Sequence, residues 1–413
     1  MKRCPKCSFT SERNDDLFCA ACGAELKKVP NNPHCKECGA ELRPDAVFCT
    51  KCGAKADPDP ADADSCSLCC DASEDTSEAL FITVNSLSDF ATDAEPPERS
   101  GDGDGDDPNI DRLLRKGKEE IKQSRYETGF RYLREAAELG SAEAPYLLGL
   151  SFFGGFGFGA SDKEEAAKWF RMAAERGNVE AQRRLGDCCY YGFGVEADEE
   201  EAFKWFSLAA EQGDADAQCR LGECYYFGNG VEENEEEAVK WWRKAAGQDH
   251  AEAQCLLGKC YYFGNGVEQD YKEAIRWFTV SAGQDYAESQ FWLGNCYLLG
   301  RGVKENTAKA ARWWRKAAEG GFVEAQYIYG GCCHGGECSV KQSYEEAFKW
   351  WIRAAEQDYD KAQVMLGECY RDGDGVEQNM EEAVKWFLMA ADQGNEDAIN
   401  ALKELGYDPS GEE

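Results

Sequence analysis

The 413-residue sequence has little histidine, few basic residues for its acidic content and no long apolar run. Its three histidines suggest no pairing of a nucleophile with a base, and no phosphate-binding loop is present, which favours a non-catalytic protein. No segment approaches the roughly 18 apolar residues of a membrane span. The first residues, MKRCPKCSFT, lack the apolar core of a signal peptide. We therefore expect a cytoplasmic protein with no membrane segment.

The charge is strongly acidic. The chain has 46 Lys and Arg residues against 79 Asp and Glu residues, a formal net charge of −33. Such a surface repels the phosphates of nucleic acids and attracts cationic groups. We therefore expect a protein or peptide partner with basic segments, and a nucleic-acid partner is disfavoured.

Cysteine is abundant, and its spacing at the N-terminus is regular. Residues 1–28 and 33–56 each contain two C-x-x-C pairs, and four thiolates are the ligand set of a closed tetrahedral zinc site. Modules of about 25 residues have almost no core without metal, which disfavours the alternatives of disulfides or free thiols. The ligands are Cys4, Cys7, Cys19 and Cys22 in the first set, and Cys35, Cys38, Cys49 and Cys52 in the second.

Both sets resemble the short zinc-ribbon modules found at the N-termini of many bacterial proteins. The second set is the closer match, because the first has Ser8 where a glycine normally follows the C-x-x-C pair. The resemblance implies two zinc ions, one in each ribbon.

Residues 57–109 read as a linker. The segment is rich in acidic residues and proline, a composition that keeps a chain extended and solvated, so we expect it to be disordered. Cys66, Cys69 and Cys70 have no fourth metal ligand nearby, and their role stays open.

From about residue 142 to 394 the sequence repeats itself. In the unit Ala251–Asp285, apolar residues at helical spacing predict a helix over about 251–263, followed by a glycine-rich loop and a second helix. Gly258 lies inside the first helix, and we expect the tryptophan of the second helix to lie over it. These marker tryptophans are 36 residues apart in five intervals and 37 in the sixth: Trp169, Trp205, Trp241, Trp277, Trp313, Trp350 and Trp386.

The second helix of each unit has its own start and stop signals. Asp270 with Glu273 three residues later forms a capping box, a pattern that recurs in every unit except at Asn306 and Lys309. The predicted ends are residues that tolerate left-handed backbone, namely Gly177, Gly213, Asp249, Asp285, Gly321, Asp358 and Gly394.

The unit is similar to the Sel-1-like repeat, a relative of the tetratricopeptide repeat. A two-helix unit of this length cannot bury its apolar face alone, so neighbouring units must stack. The resemblance implies an all-α fold, a right-handed α-solenoid of about seven repeats over 142–394. We expect a capping hairpin at 110–141, and a closing helix and tail at 395–413. The resemblance also implies a non-catalytic scaffold or adaptor.

We expect a partner to bind the face of helix one that lies opposite its glycine. Stepping 100° per residue puts the positions at −3, −2, +1 and +5 from the glycine on this face. Packing between repeats is the alternative role for the aromatic members. The candidate residues are Arg183, Arg184, Arg220, Lys259, Phe291, Trp292 and Tyr327.

The cysteines of the array are expected to be small buried hydrophobes two residues after the helix-one glycine. The sixth copy is irregular, because Cys332, Cys333, His334 and Cys338 occur together and could bind metal or act in redox chemistry. Adjacent helical cysteines diverge by about 100°, which opposes convergence on one ion. Two other functions stay open, a zinc-thiol redox or metal-responsive regulator and a regulator that contacts nucleic acid through its ribbons.

Zinc analysis of the purified full-length protein tests the assignment of the cysteines. Two ions per chain are expected when only the ribbons bind metal. Three ions would support a further site, for which the set at 332–338 is the candidate in the sequence.

Overall fold

The computed structural model describes residues 2–3, 10–11, 27–28, 107–155 and 161–407. Three short strands lie near the N-terminus, β1 (Lys2–Arg3), β2 (Thr10–Ser11) and β3 (Lys27–Lys28). They form an antiparallel sheet with the order β2-β1-β3. The predicted zinc ligands and nearly all of the predicted linker lie outside the described residues.

The array consists of antiparallel helix pairs. The most extensive contacts are between helices adjacent in sequence, which is the arrangement of an α-solenoid and confirms the predicted fold. Within the described residues, no helix combines the length and the apolar character needed to cross a membrane. The helices are α1 (Pro108–Lys122), α2 (Tyr126–Glu138), α3 (Glu143–Phe153), α4 (Lys163–Glu175), α5 (Val179–Tyr191), α6 (Glu199–Glu211), α7 (Ala215–Phe227), α8 (Glu235–Ala246), α9 (Ala251–Phe263), α10 (Tyr271–Ala282), α11 (Ala287–Leu299), α12 (Thr307–Glu319), α13 (Val323–Gly335), α14 (Tyr344–Ala355), α15 (Asp360–Asp372), α16 (Met380–Asp392) and α17 (Glu396–Glu404).

The predicted boundaries of the second helices are confirmed. Asp270 accepts hydrogen bonds from the backbone N–H groups of Lys272 and Glu273 at the start of α10. Asn306, where the acidic partner is missing, still accepts the N–H of Lys309 at 2.9 Å, because this half of the box needs only the cap side chain. The predicted end residues all have positive φ, from 59° to 98°: Gly177, Gly213, Asp249, Asp285, Gly321, Asp358 and Gly394.

The ring over the helix-one glycine is not that of the marker tryptophan, so this prediction was wrong by one residue. A Cβ on Gly258 would lie 2.6 Å from the ring of Phe278, the residue after Trp277. Adjacent helical residues point about 100° apart, so only one of the two rings can face the glycine. We call the space over each helix-one glycine the notch. The rings that fill the notches are Phe170, Phe206, Trp242, Phe278, Trp314, Trp351 and Phe387.

A buried glutamine joins consecutive units. The side-chain amide of Gln254 donates to the carbonyl of Ala246 in the preceding helix, at 3.1 Å. Its oxygen accepts a hydrogen bond from Gln284 at 2.9 Å, at the end of its own unit. A buried amide with both ends satisfied penalises any slip in register, because a shift would leave it unpaired. The equivalent residues are Gln182, Gln218, Gln290, Gln326 and Gln363, all buried.

Two neighbouring glycines in α13 allow a matched test of the notch. A Cβ on Gly330 would lie 2.5 Å from the indole of Trp351, whereas one on Gly331 would have no atom within 4 Å. We expect Gly330→Ala to destabilise the array by about 1–3 kcal/mol through overpacking. Gly331→Ala should stabilise it by about 0.5–1 kcal/mol, because alanine is the better helix former. Urea unfolding followed by far-UV circular dichroism measures both, and equal effects would contradict the notch.

Candidate partner-binding surface

The candidate surface is the helix-one face. We define it as the residues at −3, −2, +1 and +5 from the glycine in α5, α7, α9, α11, α13 and α15. Every residue predicted from sequence to bind a partner lies in these helices. Among these predicted residues, the arginines and Lys259 lie in its first half and the aromatic residues in its second half.

In the first half, ion pairs cross from one unit to the next. The guanidinium of Arg183 in α5 lies 3.4 Å from Asp214 and 3.5 Å from Asp216, at the start of α7. Asp216 in turn contacts Nε2 of His250 at 2.9 Å, at the start of α9. The neighbouring Arg184 has a buried Nε with no hydrogen-bond partner among the described residues. The chain of contacts therefore joins three successive units.

Burial and pairing shift the acids on this face in opposite directions. The hydrogen bond from His250, aided by Arg183, lowers the pKa of Asp216 to about 2. Burial raises the pKa of Asp187, and the nearby arginines offset this only in part. Burial likewise raises the pKa of Glu223, although Arg220 donates to it at 2.8 Å. The environment thus favours the ionised form of Asp216 and disfavours the ionised forms of Asp187 and Glu223.

The middle of the face changes from ionic to aromatic contacts. Lys259 lies 2.9 Å from Glu288 of the next unit, and this acid also accepts a hydrogen bond from Trp292 at 3.4 Å. The indole of Trp292 packs on Phe263 and Phe278 of the preceding unit, with ring centroids 5.5 and 6.0 Å apart. Trp292 is therefore held between repeats.

Phe291 and Tyr327 also contact the following unit. Their rings lie 5.0 Å from Phe322 and 5.4 Å from Tyr359, respectively. Both are half-buried. Truncating either ring is expected to weaken the joint between two repeats in addition to any effect on binding.

Position +5 carries a row of exposed apolar side chains that the sequence reasoning did not single out. Each is the last residue of its helix and precedes a left-handed glycine, at which the chain turns away. Single exposed apolar side chains are ordinary, and it is their recurrence at one position of four consecutive units that points to an interaction surface. We call these four residues the apolar ladder: Tyr191 (50% exposed), Phe227 (65%), Phe263 (52%) and Leu299 (54%).

Acidic residues follow the ladder closely. Glu196, Glu232 and Glu268 stand five residues after the first three ladder positions, in the connecting loops, and all are exposed. Each of the first three ladder residues is thus followed in sequence by an exposed carboxylate.

The candidate metal ligands of the irregular sixth copy do not converge as a set of three among the described residues. They are Cys332, Cys333, His334 and Cys338. His334 instead packs against the rings of Tyr344 and Trp351, with centroids 4.9 and 5.4 Å away. The cysteines two residues after the glycine are buried as predicted: Cys188, Cys224, Cys260, Cys296, Cys332 and Cys369.

Comparison with known families gives two matches. A family model described as Sel1 repeat matches eight consecutive segments, 112–141, 142–178, 179–214, 215–250, 251–286, 287–322, 323–359 and 360–395. The first of these is the hairpin predicted as a cap. A model described as double zinc ribbon matches residues 4–53.

Two solved structures are similar over most of the chain. A Sel1 repeat protein from Oxalobacter formigenes is 30% identical, with a TM-score of 0.62, and the match covers 81% of this chain and 95% of that one. The protein c5321, a protective antigen of uropathogenic Escherichia coli strains with an SLR fold, is 30% identical, with a TM-score of 0.53 and coverage of 72% of both chains. A search of the curated proteins found no match.

The opposite pKa shifts on the helix-one face predict opposite effects of two amide substitutions. A lowered pKa means that Asp216 stabilises the fold above about pH 4 and loses this contribution as the pH falls towards 2. Asp216→Asn should therefore destabilise the protein at pH 7. We expect at most about 1 kcal/mol, because the side chain is 56% exposed and solvent screens its charge.

Asp187→Asn is the matched opposite case. Its raised pKa means that the buried carboxylate destabilises the fold at pH 7, a cost that disappears once the pH is low enough to protonate it in both states. The substitution should raise the unfolding midpoint at pH 7 and have little effect near pH 3. Urea midpoints measured from pH 7 to pH 2.5 test both variants, and a shift of the same sign in both at pH 7 would refute this electrostatic account.

Proposed function

The chain belongs to the Sel1 repeat family, and from this premise we propose that it is a non-catalytic adaptor that binds a protein or peptide on the helix-one face. Sel1 repeat proteins are generally protein-interaction scaffolds. The observation that carries the proposal is the apolar ladder, four exposed side chains at equivalent positions of consecutive units. A regular row of this kind suits an elongated partner that contacts several repeats at once.

The partner's chemistry follows from the surroundings of the ladder. Apolar side chains of the partner would cover the ladder, and basic side chains would meet the exposed carboxylates Glu196, Glu232 and Glu268. The formal charge of −33 would attract such a segment over longer distances. Association is therefore expected to slow as ionic strength rises.

The two histidines of the described array support a non-catalytic role. His250 caps α9 by accepting the N–H of Ala253 and also contacts Asp216. His334 packs between aromatic rings and lies 3.4 Å from Asp374. Both imidazoles are thus engaged in contacts that stabilise the array.

The N-terminal ribbons provide a second contact region in this proposal. β1 and β2 pair antiparallel, and the double zinc ribbon model matches residues 4–53. Two four-thiolate sets fit two zinc ions, one held by Cys4, Cys7, Cys19 and Cys22 and the other by Cys35, Cys38, Cys49 and Cys52. Bound zinc would close each module and contribute its folding energy.

The state of the array thiols favours an adaptor over a redox regulator. Burial raises the pKa of Cys188, Cys224 and Cys260 to about 12, and the thiol form is a poor nucleophile. Eleven cysteines of the described array are unpaired, which supports a reducing compartment such as the cytoplasm. The thiols of Cys188, Cys224 and Cys260 are therefore unsuited to a redox response.

Substitution of two ladder residues tests the proposed binding surface. We expect Phe227→Ala combined with Phe263→Ala to reduce partner capture at least about tenfold, because two interface aromatics together contribute about 1.4 kcal/mol or more. Immobilised full-length protein and quantitative mass spectrometry identify the captured partner. Titration calorimetry with that partner then measures the change in Kd.

Leu208→Ala is the matched control, since Leu208 is 44% exposed but lies on α6, a second helix of its unit. Capture by this variant should equal that of the wild type. Unchanged capture by the ladder variant, with its helical circular dichroism intact, would place the binding surface elsewhere.

A further inference from the structure

At each joint between consecutive repeats, residues at the same three positions face one another, but the residue types differ from joint to joint. The residue three before a helix-one glycine faces the N-cap residue of the next helix one and the residue two positions after that cap. We call these three positions the inter-repeat slot. Arg183 with Asp214 and Asp216 forms an ionic slot, while Phe291 with Phe322 and Tyr327 with Tyr359 form aromatic ones.

The slot between α7 and α9 contains Cys219, His250 and Glu252. One ligand atom from each, the thiol sulfur, a ring nitrogen and a carboxylate oxygen, lie within 4.8 Å of one another. From this convergence we propose that Cys219, His250 and Glu252 bind a divalent transition-metal ion of the zinc type. Thiolate, imidazole and carboxylate together are ligands that zinc takes, and three protein ligands leave a fourth position open.

The imidazole is already oriented as in known metal sites. Nε2 of His250 contacts Oδ1 of Asp216 at 2.9 Å, and Nδ1 accepts the N–H of Ala253 at 3.2 Å. Both contacts are satisfied by a neutral ring with its proton on Nε2, whose Nδ1 lone pair accepts the N–H of Ala253. A carboxylate that holds the second ring nitrogen is the usual outer partner of a metal-binding histidine. The ion would replace the long cap bond from Ala253.

The ligand atoms need to move only a little. Zinc bonds of about 2.3 Å to sulfur and about 2.0 Å to nitrogen put tetrahedral ligand atoms about 3.5 Å apart. Separations of up to 4.8 Å therefore close by little more than about 1 Å, within the reach of side-chain rotation.

Local charge determines which ligands matter most. Asp216, Glu223 and Glu252 surround the thiol and attract a cation, whereas Arg220 and the positive N-terminus of α9 oppose it. Thiolate sulfur is the ligand among the three that most favours zinc over harder cations, so the loss of Cys219 should abolish binding.

The next slot along the array is a matched control. Cys255 occupies the position of Cys219 and is equally buried, and Glu288 occupies that of Glu252. Tyr286 replaces the histidine, and no three ligand atoms of this slot converge in the described residues. A thiol and a carboxylate at the equivalent positions are thus present without the imidazole.

The experiment loads full-length protein with Zn²⁺, removes unbound ion by gel filtration and counts the ions per chain by mass spectrometry. The wild type and Cys255→Ser are expected to hold one ion more than Cys219→Ser. His250→Asn should also lose this ion while it keeps the helix cap, because Asn178 caps α5 in the same way. Cys332→Ser should retain the ion, which separates this site from the irregular sixth copy.

Thermal unfolding gives a second readout that the ribbons do not share, because it follows helical circular dichroism. Added Zn²⁺ should raise the midpoint of the wild type and of Cys255→Ser by a few degrees and leave that of Cys219→Ser unchanged. Equal ion counts in the wild type, Cys219→Ser and His250→Asn would overturn the proposal. Loss of the ion from Cys332→Ser alone would assign it to the sixth copy and likewise overturn it.

Discussion

The packing of an aromatic ring against the helix-one glycine is the contact on which the array depends. A Cβ at this glycine would lie about 2.5 Å from the ring in the seven units from Gly149 to Gly367, so the ring packs directly on the backbone of helix one. A second glycine sets the distance between units. Gly266 has a φ of 65°, and its Cβ would lie 2.4 Å from the carbonyl oxygen of Glu235 in the preceding unit. The period of 36 residues is therefore the period of two close backbone contacts, one within each repeat and one between repeats.

Because these contacts hold the units in place, side chains elsewhere are free to vary. The buried glutamines add register, since each is satisfied only when its neighbours are in step. The inter-repeat slots occupy equivalent positions but contain different residue types. They range from the ion pairs of Arg183 to the rings of Tyr327 and Tyr359. A repeat protein can diverge in this way because each joint contributes to stability almost independently of the others.

The sequence predicted the helices, their caps and the buried cysteines, because these depend on local patterns within one unit. It did not identify the ring over the glycine. Three units have adjacent tryptophans, as in Trp241 and Trp242, and a period alone cannot decide which of two neighbours faces inwards. The convergence of Cys219 and His250 was also missed, since it depends on how the units stack. The ladder could have been found, because Tyr191, Phe227, Phe263 and Leu299 are 36 residues apart and follow the marker glycines at +5.

The proposed metal site and the apolar ladder share the same two helices. Cys219 and Phe227 belong to α7, whereas Glu252 and Phe263 belong to α9. An ion bound by Cys219 and Glu252 would tie these helices near their N-terminal ends and restrain the spacing of the ladder residues at their C-terminal ends. Each joint between repeats is stabilised only by contacts between the two neighbouring units. One metal link would therefore contribute a large part of the free energy that holds this joint together. Any coupling between metal and partner binding would be reciprocal, because the two binding equilibria are linked in one thermodynamic cycle.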